Sequence, residues 1–470
     1  LTYEPGNIAG SVTFENASTG SIISTGDKNV GMFAKLAQNG VSYNTVNNGN
    51  ITLGNSASMS NPNVAMYTNA SSVGTNPLEN IGNITVGDNS VGMYGFEENS
   101  SGNITVGNGS IGLYSKNGNV NVSGSITTGS SNESVGVYTV GSGQTITSTG
   151  ATFNLGDTSF GFVNVGTGNN ITSTGGSATL SNNGVYIYSN DKANTITNST
   201  NISSTGTTGA NYGIYSSSQV NNSGNIDFSN GVGNLGMYMV NGGTGRNSGT
   251  ITVGASDTSN ELYSVGMAAG YSEETPKGSG NFITRGLGNI ENHGTIKVTD
   301  PDSIGMYATG KGSRIYNNGR IELSGAKRNI GMFAEHGAEL INDVNGVITT
   351  VGTGNVGQIA IAVTKGATLE NKGTIHIDAS KGYGLFLAGA IVKNYGEAKI
   401  TVANGAKKKK EVEAADTSKE MQDILGNMNK IEIDTRPVGV VTEAKIKLNG
   451  VVQTPTVVHV QAIPNRKPND

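Results

Sequence analysis

Cysteine and tryptophan are absent from this 470-residue chain, proline occurs nine times, and only 13% of the residues are charged. Each shortage excludes something. Without cysteine there is no disulfide framework of the kind that holds small secreted domains together. A chain of this length must then take its stability from an extended core and from backbone ladders. Disorder requires low hydrophobicity combined with high net charge, whereas the formal charge here is only −5 and Ile, Val, Met and Tyr recur at regular places. No apolar run approaches the roughly 18 residues of a membrane helix. Leu1 to Gly10 lack the charged-then-apolar pattern of a secretory signal, so the sequence reads as an internal segment of a longer protein.

The few charges are unevenly spread. Residues 1–270 hold five bases against thirteen acids, and residues 271–470 hold the other 24 bases against 21 acids. Neither balance resembles the clustered Arg and Lys of a nucleic-acid surface, and no nucleic-acid partner is expected.

What is abundant is glycine, 71 residues, about twice its usual share, and with it Asn, Ser and Thr. These residues fall into two alternating motifs. The first, Asn-x-Gly-Asn/Thr-Ile-x-Val, is clearest at Asn80–Val86, Asn247–Val253 and Asn292–Val298. The second, Val/Ile-Gly-Met-Tyr/Phe, appears at Val30–Phe33, Val91–Tyr94, Leu235–Tyr238, Ile304–Tyr307 and Ile330–Phe333. Its small residue serves as a ruler: positions 31, 65, 92, 112, 136, 161, 184, 213, 236, 266, 305, 331, 357 and 384, most steps lying between 20 and 30 residues. Repeats of that size mean solenoids, propellers or arrays. The segments are short, alternate apolar and polar residues, and are flanked by Asn and Gly, which are strand and turn signals. A leucine-rich repeat needs a Leu pattern that is missing, and a propeller blade needs about 40 residues.

The expectation is therefore an all-β chain, a right-handed parallel β-helix of about 14 coils over residues 1–403, with an irregular helical and hairpin region from 404 to 470. Ile84 and Val86 should point inward, as should Val91 and Met93 on the next face. Asn80 and Gly82 should form a corner that tolerates left-handed backbone, and stacked Asn side chains can bond one another along the axis. The Tyr and Phe of the second motif alternate with Met; they either pack between turns on the outer face or form a saccharide-stacking stripe.

Two stretches break the pattern. The step from Gly266 to Gly305 is the longest, and extra residues in a solenoid leave as loops that often bind. Tyr271, Glu273, Glu274, Lys277 and Arg285 are the candidate ligand contacts there. Beyond Asn404 come Lys407 to Lys410, a helical stretch from Thr417 to Leu425 with Asp416 as N-cap and Gly426 after it, and strands over Ile431 to Val460 with a hairpin turn at Asn449-Gly450.

Catalytic signals are missing. Glycoside hydrolysis needs two carboxylates at a fixed separation, but Glu97/Glu98 and Glu273/Glu274 are sequence neighbours that diverge on a strand. His293, His336, His376 and His459 lack metal-ligand spacing, and there is no nucleophile elbow or Walker loop. Neither a catalytic residue, a metal nor a cofactor is expected.

The combination at Asn292–Val298 and Ile304–Tyr307 resembles the passengers of the large fusobacterial type V autotransporter adhesins, the RadD-like group, across residues 30–402; Thr454 to Asp470 is similar to their non-repetitive region. The resemblance implies display at the bacterial cell surface through an outer-membrane barrel outside this chain, or shedding from it. It implies as partners a host glycoprotein or glycan and other bacteria during coaggregation. The absence of cysteine suits a chain that crosses a narrow pore unfolded. The competing readings are a passive stalk that carries a binding head elsewhere and a polysaccharide-acting β-helix enzyme.

Overall fold

The computed structural model describes residues 2–3, 11–34, 42–68 and 77–412 apart from 132, 261, 277, 278, 280 and 326, and the short strands 440–441, 446–448, 451–453 and 458–459. Among them there is no α-helix, only one 3-10 turn at Glu397–Lys399. The chain is a right-handed parallel β-solenoid of about 15 turns. It forms two compact units, residues 1–201 with 437–463 and residues 202–436 with 464–470.

Each turn adds one strand to each of three parallel sheets. In the first unit one turn consists of Val91–Gly95 in the first sheet, Glu98–Ser100 in the second and Asn103–Val106 in the third. The next turn stacks in register, with Met93 beside Leu113, Asn99 beside Asn121 and Ile104 beside Ile126. In the second unit the turn Ile304–Thr309, Arg314–Asn317, Arg320–Leu323 stacks in the same way on Ile330–Glu335, Glu339–Asn342 and Val347–Thr350. Strands of the third sheet alternate cleanly: Ile84 and Val86 are buried while Asn83 and Thr85 are exposed, the period-2 pattern of a half-buried strand.

The first sheet differs. Its strands are buried along both alternating sets of side chains, so the aromatic positions form no outer saccharide stripe. They do stack from turn to turn: in the first unit Phe33, Tyr67, Tyr94, Tyr114 and Tyr138 follow one another with ring centroids 4.8–5.3 Å apart. Desolvation pushes the Tyr67 phenol up to about 12, so these rings stay neutral.

Twelve of the fourteen ruler positions fall on the narrow slot of the first sheet; the other two are displaced. Phe160 and Phe162 pair with Val185 and Ile187, which places Tyr186, not Gly184, opposite Gly161. Ile330 and Met332 pair with Ile359 and Ile361, which places Ala360, not Gly357, in the slot. Tyr186 is accommodated because its ring meets Phe153 and Phe162 edge-on and its hydroxyl lies 2.8 Å from Ser173 Oγ.

The corner between the second and third sheets is held by the Asn and Gly of the first motif. In the second unit Asn222, Asn247, Asn292, Asn317, Asn342 and Asn371 are fully buried, and each Nδ2 donates to the Oδ1 of the next at 2.8–3.1 Å. In the first unit Asn16, Asn47 and Asn80 do the same before Asn80 donates to Ser100 Oγ at 3.2 Å. Asn80 and Gly82 do form this corner, as expected, but neither adopts a left-handed backbone. A Cβ on Gly82 would strike the carbonyl oxygen of Gly49, one on Gly102 that of Gly82, and one on Gly124 that of Gly102. Gly is required there by close approach of stacked backbones. Left-handed non-glycine residues sit at the other corners, for example Asn89 (φ 51°), Asn117 (φ 63°) and Lys365 (φ 50°).

Lys407–Val412 pairs in parallel with Tyr383–Ala388 and adds a further first-sheet strand. Ile446–Leu448 and Val451–Gln453 form the antiparallel hairpin expected around Asn449-Gly450. The helix expected over Thr417 to Leu425 and the tail after His459 lie outside the described residues.

One core position breaks the apolar column. Glu98 stacks between Leu78 and Val120, is fully buried, and neither carboxylate oxygen meets a hydrogen-bond partner. Burial holds its carboxyl well above the usual value of 4.5. The folded state therefore keeps the proton that the unfolded chain gives up. Stability from this position is full below pH 4.5 and is lost as the pH rises towards the folded value, at up to about 1.4 kcal/mol per pH unit. Glu98→Gln should flatten that part of the pH–stability curve and raise the melting temperature at neutral pH; an unchanged curve would mean that the carboxylate is paired.

Asn317→Leu should cost about 1–3 kcal/mol, because it strands the buried Asn292 donor and Asn342 acceptor. Hydrogen exchange should locate the loss at residues 292–342, while residues 80–140 keep their protection.

Candidate functional site

The long step after Gly266 is an ordered antiparallel hairpin, not an irregular loop. Tyr271–Glu274 pairs with Phe282–Gly286, with Glu273 opposite Ile283 and Glu274 opposite Phe282. Of the five expected contact residues, Tyr271, Glu273, Glu274 and Arg285 lie on this hairpin; Lys277 lies outside the described residues.

Strand alternation divides the hairpin into two faces. Glu273, Ile283 and Arg285 share one. Arg285 Nε lies 2.8 Å from Glu273 Oε2 with both side chains about half-exposed, and Ile283 is 43% exposed. In the neighbouring segment Leu287 is 42% exposed. A surface ion pair of this kind contributes little to stability, so these groups are available for contact. Glu274 is on the opposite face, with Phe282 and Thr284.

That opposite face docks on corners of later turns. The Phe282 ring stacks on His336 with centroids 3.8 Å apart and planes 22° apart, and Lys365 Nζ lies 5.1 Å over the same ring. Thr284 Oγ1 accepts from the Lys311 amide at 3.0 Å. Beneath the ring, Glu335 is 2% exposed yet paired twice: Tyr307 Oη donates to it at 2.6 Å and Lys365 Nζ lies at 2.8 Å, with His336 Nδ1 3.7 Å away. A buried carboxylate is tolerable only with such partners. Desolvation holds the His336 imidazole below its usual 6.5; Lys365 works in the same direction, and Glu335 and Glu274 oppose it. Phe282, Tyr307, Glu335, His336 and Lys365 escaped the sequence reading. The available signal was that Glu335-His336-Gly337 and Thr364-Lys365-Gly366 occupy the same corner after the second motif, each with a left-handed residue (His336 φ 52°, Lys365 φ 50°).

A second polar cluster lies on the outer face of the second sheet in the same unit. Arg314 sits 3.7 Å from Glu291 and 3.8 Å from Glu339, with its guanidinium 4.9 Å over the Tyr316 ring. His293 lies 3.3 Å from Glu291, Lys393 lies 3.0 Å from Glu339, and Tyr316 donates to Asp343. The cluster holds acids two turns apart, Glu291 on one side of the Arg314 strand and Glu339 on the other, whereas glycoside hydrolysis needs a pair of them free to act. Each acid is nevertheless engaged by a cation or a phenol, and the Tyr316 hydrogen bond holds Asp343 below the ordinary carboxylate range. A general acid needs the reverse, a raised carboxyl. Among the described residues no group of three or more His, Asp or Glu is arranged to hold a metal ion, and no helix is long and apolar enough to cross a membrane.

The model of the BigA third pectate lyase-like domain matches residues 96–346, a little over half of the chain. The chain belongs to that family. The family is a bacterial, autotransporter-type passenger domain family, and its pectate lyase-like name describes the β-helix and not a reaction. The match spans the hairpin and the Arg314 cluster apart from Lys393. No curated protein and no solved structure matches the chain.

Phe282→Ala should remove about 1–2 kcal/mol of stacking and cation–π contact and leave the solenoid intact. Hydrogen exchange or proteolysis at 271–286 should then accelerate while the global melting temperature holds. In the unaltered chain the same protection should fall as the pH drops below 6.5, because undocking frees His336 to take a proton that the docked state resists. Protection of the hairpin that is indifferent to both changes would show that the stack contributes nothing.

Proposed function

We propose that this chain is part of a surface-displayed adhesin passenger and that it binds through the outward face of the hairpin, Glu273, Ile283 and Arg285. The observation that carries the reading is the combination of exposure and anchoring. Among the described residues, an antiparallel hairpin set between parallel turns presents an apolar side chain beside an ion pair and is fixed from behind by Phe282 on His336. A contact surface held rigid before binding loses less entropy on association. The partner would be a host-cell glycoprotein or glycan, or the surface of another bacterium. The wider resemblance to the fusobacterial RadD-like adhesins supports the same reading, in which the chain works outside the cell, anchored or shed.

A stalk is the second reading, favoured by the in-register stacking of residues 80–140. Binding of the purified chain to host cells separates the two. Untreated cells should bind it, cells stripped of surface glycans or of surface proteins should not, and the Ile283→Asp/Arg285→Glu chain should bind at least about tenfold more weakly. A folded chain that binds no cell at high concentration would be a stalk, and binding unchanged in the double variant would move the site off the hairpin.

A further inference from the structure

We infer that a notch on the outer face of the second sheet in the first unit is a subsite for one ring of an uncharged, hydroxyl-rich glycan. The inference deepens the adhesive reading and relies on it only for the biological role. Its residues belong to a different unit from the hairpin.

The notch arises where the solenoid changes its turn length. Val122 pairs with Ser148 and Ser125 with Thr152, so two residues make the corner in one turn and three in the next. The extra residue is Thr149, followed by Gly150 in a left-handed conformation (φ 68°). Thr149 stands as a wall beside the lower corners at Ser101 and Ser123. The space enclosed is about 160 Å³ and is lined by Glu79, Asn99, Asn121, Thr147 and Thr149, over a floor that includes Ser100 and Val122. That volume admits a single sugar ring; a peptide helix or a nucleobase with its backbone needs more.

The lining defines the ligand chemistry. It contains no Lys or Arg, and its one charged group is the Glu79 carboxylate, which excludes phosphate, sulfate and acidic sugars. It offers no large apolar side chain, which excludes lipid and aromatic residues. What it offers is an ordered set of donors and acceptors. Glu79, Asn99, Asn121 and Thr147 stand in register on four successive turns, about 4.8 Å apart. Asn121 Nδ2 donates to Asn99 Oδ1 at 2.7 Å. That bond fixes both amides, leaving Asn99 Nδ2 as the outward donor and Asn121 Oδ1 as the outward acceptor. Glu79 takes part in no hydrogen bond or ion pair among the described residues. A vicinal diol fits this arrangement: its hydroxyls donate to the carboxylate and to Asn121 Oδ1 and accept from Asn99 Nδ2. Charge-assisted hydrogen bonds of that kind are the strong ones. All the groups project from strands and not from loops, so they are positioned before the ligand arrives.

The test uses the whole 1–470 chain with methyl β-galactoside, methyl α-mannoside and methyl β-glucoside as neutral probes and N-acetylneuraminate as the acidic one, read by saturation-transfer NMR and calorimetry. At least one neutral pyranoside should bind with an affinity on the order of millimolar, as a small ligand without an aromatic platform would, and N-acetylneuraminate should not. Glu79→Gln and Asn99→Leu should each weaken binding at least about tenfold, with the circular dichroism spectrum and melting temperature unchanged. Arg285→Glu should leave it untouched; if Arg285→Glu abolishes sugar binding, the sugar is held by the hairpin and the notch assignment is wrong. Failure of all three neutral probes at tens of millimolar would overturn the subsite and leave the cell-binding test of the hairpin standing. Equal binding of N-acetylneuraminate, or binding that survives both substitutions, would overturn it as well.

Discussion

The constraint on which everything else depends is that each turn must sit one strand spacing above the last, with every backbone amide and carbonyl paired to a neighbouring turn. Nothing may stand between the turns. At the corner between the second and third sheets this becomes a restriction on single atoms. The carbonyl of Gly82 occupies the place where a side chain on Gly102 would begin, and the carbonyl of Gly249 occupies the place for one on Gly294. The Asn beside each glycine answers the complementary need. The chain turns there, its polar groups are buried, and a side-chain amide with one donor and one acceptor aimed along the axis satisfies the turns above and below. Asn and Gly are abundant here because stacking uses them at many of the turns.

The parts of the fold that repeat were the parts that could be read from the sequence. Alternation in Asn-Ile-Thr-Val specifies a strand with one buried face, and Ile84 and Val86 are buried as that pattern requires. The Asn stack was equally legible, since six Asn recur before the same glycine. The reason for the glycine was not. A left-handed turn and a collision between backbones both demand glycine, and only coordinates distinguish them. The first sheet misled for a related reason. Val-Gly-Met-Tyr alternates as a half-exposed strand would, yet both sets of side chains are closed to solvent, and the ring stack from Phe33 to Tyr138 depends on that. The ruler slipped at Gly184 and Gly357 because the sequence marks the small residue, whereas the fold marks a place in the ladder. At those turns the place is taken by Tyr186 and Ala360.

For the site, the length anomaly after Gly266 located the insertion correctly, and Glu273 and Arg285 do meet on its outward face. Its inner face was illegible. Phe282 finds His336 and Lys365 on later turns, and local sequence carries no sign of such a contact. The notch bounded by Thr149 was hidden differently. It depends on a one-residue difference between two corners, which disturbs neither the motif nor the spacing of the ruler.

The same stacking decides how the exposed polar groups of this chain are paired. Catalysis on a β-helix needs acids held apart on one face with their proton affinities driven in opposite directions. In this chain the exposed acids of the Arg314 cluster are each drawn to a cation or a phenol on a neighbouring turn. The stacking that aligns the turns is what brings these partners within reach. Among the described residues the carboxyl strongly displaced upward, Glu98, is sealed in the core. Recognition asks for less: a few donors and acceptors, repeated at a fixed interval and held still. A solenoid supplies that interval on each of its faces. The local departures, one extra residue at Thr149 and one inserted hairpin at Tyr271, are what make particular places on those faces differ from the rest.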